Sequence, residues 1–170
     1  MVLPANTQPH QWWGLFFVWY NYYINKNKNM NYLFEWTQAI SVNEKNIDMQ
    51  HKKLLHQVNI LLSAVVNNSE NEIISEAINF LDSYITDHLM YEEKYMEDNK
   101  YPNIEIHKKM HHDFINHYQD FKNKFVAGVS NDKLALEIEQ YIGNWWIEHI
   151  GKMDKQYALY IEELNKQKTA

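Results

Sequence analysis

Six side chains in this sequence combine metal-binding chemistry with positions where apolar residues belong: His51, His88, Glu92, His107, His111 and His149. Each falls on an apolar stripe, and a buried carboxylate or imidazole without partners is costly, at roughly 1–3 kcal/mol or more per group. One such histidine would mean little. Six spread along the whole chain imply a shared interior site. His88 and Glu92 are four residues apart, as are His107 and His111, so on a helix each pair projects from one face a single turn apart. Neutral imidazole and carboxylate oxygen suit iron, manganese or zinc. The complete absence of cysteine removes thiolate sites and disfavours copper(I) and iron–sulfur clusters. Six or more donors exceed what one tetrahedral zinc takes, so two metal ions fit better.

The elements that must position these donors are helices. Apolar residues recur at intervals of three and four from about residue 43 onward. The first stripe is Ile47, His51, Leu54, Val58, Leu61 and Val65. Asn67-Asn68-Ser69 interrupts it, and Ser69 with Glu72 has the form of a capping box for a second helix. That helix carries Ile74, Ala77, Leu81, Tyr84, His88, Glu92 and Tyr95. Pro102 suits the first turn of a third, with Ile104, His107, His111, Phe114, Tyr118, Phe121 and Phe125. After Gly128-Val129-Ser130-Asn131 a fourth runs through Leu134, Ile138, Trp145, His149, Tyr157, Tyr160 and Leu164. Four helices with short connections predict an all-α, antiparallel up-down-up-down bundle.

Composition sets further bounds. A chain of 170 residues with 16 basic and 22 acidic groups carries a formal charge of −6, and every basic residue is lysine. No basic stripe is available to release phosphate counterions and no arginine to read bases, which excludes nucleic acid as the expected partner. Four glycines and three prolines leave little room for turn-rich β architecture or phosphate-binding loops. Residues 1–30 differ from the rest. They hold Pro4, Pro9, the run Trp12-Trp13-Gly14-Leu15-Phe16-Phe17-Val18-Trp19-Tyr20 and a polar Asn-Lys stretch, with no acidic residue. The apolar part is shorter than the roughly 20 residues that span a bilayer and lacks the basic leader and cleavage site of a secretory signal. The expectation is an extension over 1–30 that contributes no chemistry, or else a membrane-surface or partner anchor. A bundle over 31–164 and a tail over 165–170 follow it, in a cytoplasmic protein without a transmembrane segment.

The ordered motifs resemble one family. Phe34-Glu35-Trp36, Ser41-Val42 and Asp48-Met49-Gln50-His51-Lys52-Lys53-Leu54 look like the opening of a bacterial-type hemerythrin. His88-Leu89-Met90-Tyr91-Glu92-Glu93 resembles its second-helix H-x-x-x-E motif, and His107-Lys108-Lys109-Met110-His111 its third-helix H-x-x-x-H. Trp145, His149-Ile150 and Asp154 resemble its fourth-helix H-x-x-x-x-D. The match runs in order from about Tyr32 to Leu164. The resemblance implies reversible dioxygen binding, for storage, transport or delivery, at a non-haem centre of two iron ions with an oxo or hydroxo bridge. It assigns His107, His111 and His149 to one iron, His51 and His88 to the other, and Glu92 and Asp154 to both. It implies a binding protein rather than an enzyme, with dioxygen as its partner.

Two places depart from simple expectation. Asp154 lies five residues past His149, some 140° around a regular helix, where Met153 is better placed for the core. Either a π-type widening turns Asp154 inward, eased by Gly151, or a regular helix lets it lean in. Members of the family usually carry leucine three residues before the fourth-helix histidine; here Trp146 stands there, between Trp145 and Ile147. Either Trp146 points away and Trp145 or Ile147 fills the oxygen pocket, or its indole reaches the pocket edge. His10, His56, His112 and His117 read as surface or hydrogen-bonding histidines. Asp48, Gln50 and Glu93 are candidates to brace the ligands. Competing functions are a peroxide- or nitric-oxide-reactive di-iron enzyme and a redox or oxygen sensor. A ferritin-like site is disfavoured because no Glu-x-x-His occurs in the chain.

Overall fold

Three of the four long helices end in the same way, and those endings set the connections of the fold. The computed structural model describes residues 34–169. Helix α1 spans Lys45–Val66, α2 Asn71–Asp98 and α3 Ile104–Val126, and α4 covers residues 131–169. Just past each of the first three stands a residue with left-handed backbone: Asn68 (φ 50°), Lys100 (φ 55°) and Gly128 (φ 74°). In each case two backbone bonds close back onto the last turn: Ser69 to Ala64 and Asn68 to Val65, Tyr101 to Met96 and Lys100 to Glu97, Val129 to Lys124 and Gly128 to Phe125. This paired closure satisfies carbonyls that would otherwise lack partners. It also corrects the expected capping box. The Ser69 N–H is committed to ending α1, so the cap of α2 falls on Glu70, without a side-chain bond. Pro102 likewise stands ahead of the α3 cap, Asn103, rather than inside the first turn.

The helices form an antiparallel four-helix bundle, and cross-helix contacts run in opposite senses. Lys108 meets Glu97 at one end of the α2–α3 pair and Lys122 meets Asp82 at the other. Between α1 and α2, Asn46 bonds Tyr91 while Gln50 bonds His88. The stripe residues of α1 are all buried, and Leu54, Val58 and Leu61 join Leu81, Phe114, Phe121, Ile138 and Ile142 in one core. A smaller core of Val42, Ile47, Met96, Tyr101, Tyr157 and Ile161 closes the end beyond the polar site. Ahead of α1, the segment from Phe34 is tied to α1 by two bonds with Asn59: Phe34 N–H donates to its Oδ1 (3.1 Å) and its Nδ2 donates to the Phe34 carbonyl (2.6 Å). The Phe34 ring lies over Gly143, where an added Cβ would fall 2.0 Å from the ring carbon Cζ; only glycine leaves that room.

Helix α4 is not regular. Its backbone widens into π turns at Ile138–Gly143 and His149–Asp154, with ordinary α segments before, between and after them. The reason is visible in what it buries. Leu134, Ile138, Ile142, Trp146, Ile150 and Asp154 are all buried, at a constant interval of four. Four residues of α-helix turn about 400°, so such a string drifts roughly 40° per step, or about 200° over its length. π turns take more residues per turn and cancel that drift, keeping the string on one face. The stretch 165–170, set apart as a tail, continues α4 as helix to Thr169. The extension over 1–30 lies outside the described residues, among which no helix is long and apolar enough to cross a membrane.

Candidate metal centre

Each helix delivers donors to one interior point. α1 supplies His51, α2 supplies His88 and Glu92, α3 supplies His107 and His111, and α4 supplies His149 and Asp154, all buried to within 2% exposure. Glu92, His107, His111 and His149 place one ligand-type atom each within 4.8 Å of one another, and so do His51, His88 and Glu92. Asp154 joins the two groups. Its Oδ1 lies 3.1 Å from His149 Nε2 and 3.3 Å from His107 Nε2, while its Oδ2 lies 3.3 Å from His51 Nε2. Glu92 spans the same gap, with Oε2 3.2 Å from His111 Nε2 and Oε1 3.9 Å from His51 Nε2.

The π turn at His149–Asp154 makes this possible. It brings Asp154 to complete burial, while Met153, which a regular helix would turn inward, is half-buried. Of the two conformations open to the H-x-x-x-x-D spacing, the backbone takes the widened one.

The donor set carries a charge problem that a cation solves. Two carboxylates sit in a dry interior, and their ionic partners among the described residues are histidines. Burial pushes the Glu92 carboxyl up, but the close approach of the His107 and His111 imidazoles outweighs it and holds it well below its ordinary value. Burial and Glu92 raise Asp154, yet His149, His107 and His51 bring it below its usual range. Burial lowers His107, but Asp154 and Glu92 overcome this and lift it to about 9; His111 is raised against burial by Glu92 and Glu93. His88 and His149, where burial dominates, fall to about 3 and about 4. Within the protein, the carboxylates are thus compensated by imidazoles, most of all His107. Meanwhile His51 Nε2, His88 Nε2, His107 Nε2, Glu92 Oε2 and both Asp154 oxygens make no hydrogen bond. Buried groups left this way are the exception in proteins. The pattern fits cation binding: imidazole nitrogens and carboxylate oxygens converge without hydrogen-bond partners.

Further side chains fix the donors. Gln50 Oε1 lies 2.9 Å from His88 Nδ1 and Glu93 Oε1 2.8 Å from His111 Nδ1, the usual outward brace of a ligating imidazole. Tyr157 donates its hydroxyl to Glu92 Oε1 at 2.7 Å; the sequence offered it only as one more apolar-stripe residue. Asp48 does not brace the site. It accepts from Ser41 Oγ and the Val42 N–H and so ties down the approach to α1.

The three residues weighed for the oxygen pocket separate. Trp146 is fully buried with its ring centroid 5.5 Å from that of His88. Trp145 is half-buried and stacked between His149 (4.2 Å, 12°) and Phe114 (4.0 Å, 21°). Ile147 faces a surface depression shared with Phe34 and Glu139. The signal that Trp146 turns inward is the four-residue string from Leu134 to Asp154, on which it falls. Of the remaining histidines, His112 is exposed beside Asn116, His117 pairs with Glu137 and stacks on Tyr141, His56 is half-buried on the flank, and His10 lies outside the described residues.

Comparison with known proteins agrees with this geometry. Residues 43–161 match the family model described as the hemerythrin HHE cation binding domain. The chain is 30% identical over 123 residues to a bacteriohemerythrin of Pseudomonas paraeruginosa, covering 72% of this chain and 78% of that one. It is 27% identical over 124 residues to the myohemerythrin of Theromyzon tessulatum, covering 73% and 90%. A crystal structure of a hemerythrin mutant superposes with a TM-score of 0.67 at 27% identity, over 77% of this chain and 98% of the other.

Proposed function

The chain belongs to the hemerythrin family, and from that premise we propose that it binds dioxygen reversibly at a non-haem di-iron centre inside the bundle. One observation carries the reading: a two-sided donor set in which Asp154 turns one oxygen to His107 and His149 and the other to His51. His107, His111 and His149 would hold one ion and His51 and His88 the other, with Glu92 and Asp154 spanning both. Bound there, a ferrous pair supplies the electrons that dioxygen takes up on binding and returns on release.

The chain's own residues do the rest. Unequal imidazole counts would leave an ion on the His51–His88 side one donor short, the side that could then take a small ligand. Gln50 and Glu93 hold the His88 and His111 rings in fixed tautomers and orientations. Tyr157 occupies a lone pair of Glu92 and restricts its rotation. Burial and the neighbouring carboxylates Glu92 and Asp154 hold the Tyr157 proton firmly on its oxygen. Tyr157 is therefore a poor proton source, which suits release of oxygen unchanged better than its reduction. Phe114, Trp145 and Trp146 close the interior against water.

Metal analysis together with an optical spectrum of the reduced protein before and after exposure to air tests this. Two irons per chain and a reversible change from colourless to violet-pink are expected. One metal per chain, or zinc in protein assembled with ample iron, would overturn it.

A further inference from the structure

Trp146 carries a hydrogen-bond donor that nothing among the described residues uses. Its side chain is fully buried, yet its Nε1 has no hydrogen-bond partner among the described residues. An indole N–H can only donate, and burying it without an acceptor forfeits its hydration for nothing. A purely apolar ring would fill the same space without that loss. The ring is wedged by its neighbours: 5.1 Å from Phe114 in an edge contact, 4.9 Å from Trp145 at 90° and 5.5 Å from His88. The carboxylates of Glu92 and Asp154 share this interior, but neither accepts from it. The ring's imidazole neighbours are His88, at 5.5 Å, and, farther off, His149 at 6.4 Å. It therefore stands closest to the side of the donor cluster that has fewer imidazoles.

We propose that the indole N–H of Trp146 donates to the small ligand held on the His51–His88 side. Trp146 is then a selectivity residue, favouring ligands whose outer atom presents an exposed lone pair, dioxygen and small anions among them. The inference rests on the oxygen-binding reading above. It adds a contact that this chain makes through a side chain bearing a donor, where an aliphatic one could only shape the pocket.

The test uses the full iron-loaded chain in its oxidised state with azide as the probe, a small anion with lone pairs at both ends. Trp146 is replaced by Phe and, separately, by the sulfur isostere of tryptophan, which keeps the indole shape and lacks the N–H. Azide affinity is read optically, and the hydrogen-bond state of the indole N–H in the parent chain by ultraviolet resonance Raman. The isostere is expected to weaken azide binding about tenfold, the loss of one hydrogen bond to a charged acceptor, and the parent's N–H signal is expected to shift when azide binds. Weakening in Trp146→Phe alone, with the isostere unchanged, would show that only ring volume matters and overturn the proposal. So would an N–H signal indifferent to azide. Iron content separates the two readings. A parent chain that holds no iron pair overturns the oxygen-binding reading and this proposal with it, whereas full iron content with unchanged azide affinity overturns this proposal alone.

Discussion

On the side of the cluster formed by His107, His111 and His149, imidazole nitrogens are crowded together. His111 Nε2 and His149 Nε2 are 2.9 Å apart, Glu93 braces one ring and Trp145 stacks on another. On the side formed by His51 and His88, one fewer ring is present, Gln50 is the brace, and the neighbouring wall is the buried indole of Trp146. The first side offers three imidazoles and the second two; on the proposed reading, the second would be the one to take a small ligand. The same residue types, in unequal number, would then separate holding a metal from exposing one.

The largest effect expected is the loss of both sides at once. Asp154→Ala removes the carboxylate whose two oxygens lie closest to opposite halves, 3.1 Å from His149 and 3.3 Å from His51, and elemental analysis should find iron falling toward zero. Retention of one iron per chain would show that Asp154 serves a single half. Next in size, His107→Ala or His111→Ala should empty the three-imidazole side selectively, whereas His112→Ala, one residue out of phase and exposed, should leave metal content unchanged. Equal loss from His112→Ala would contradict the helical phase.

Stability of the chelated, metal-free protein should follow the protons that stand in for the cation. The folded value of His107 is raised from 6.5 to about 9, so its contribution is present in full below about 6.5 and is lost as pH rises toward 9. His88 and His149 are lowered to about 3 and about 4; the unfolded chain binds those protons more readily, so stability falls as pH drops below about 6.5. Melting temperature should therefore peak near pH 6.5, and loading with metal should remove the alkaline decline. A metal-free protein equally stable at pH 6.5 and 9 would contradict the charge balance described for the site. The smallest effects are expected from the braces. Gln50→Ala and Glu93→Ala should each weaken metal affinity ~10–100-fold, the first on the His51–His88 side and the second on the other, as read by chelator competition. Equal weakening of both halves by either change would mean that the two sides are not independently held.

Much of this was legible in the sequence because α1, α2 and α3 obey the three-and-four spacing of a regular helix, and their polar stripe residues are the ones found buried at the cluster. The misreadings have physical causes. Ser69 has the right neighbours for a cap, but its N–H was already used to close α1. Trp146 is hard to place from His149 alone, because the stretch between them is regular helix and sets it to one side of that ligand. What turns it inward is the four-residue string, held on one face by the π turns on either side. The π turn at His149–Asp154 was foreshadowed by a five-residue gap between two ligand types. The turn at Ile138–Gly143 had no such marker, only a run of apolar residues at intervals of four. Tyr157 gave no signal at all, since a tyrosine on an apolar stripe looks the same whether its hydroxyl meets water or Glu92.

The widened turn that carries Asp154 inward also limits how such a site can be gained or lost by mutation. The phase of everything after His149 depends on how many residues lie in the turn, not on which ones they are. Exchanging one side chain for another leaves that number intact, so substitution can weaken Asp154 as a ligand but cannot rotate it away. Removing a single residue between 149 and 154 would do so, turning the rest of α4 by about 100° and carrying Tyr157 and Ile161 out of the smaller core with it. The end of the bundle and the metal cluster are in this sense set by one insertion, and lineages that differ in it would differ in both together.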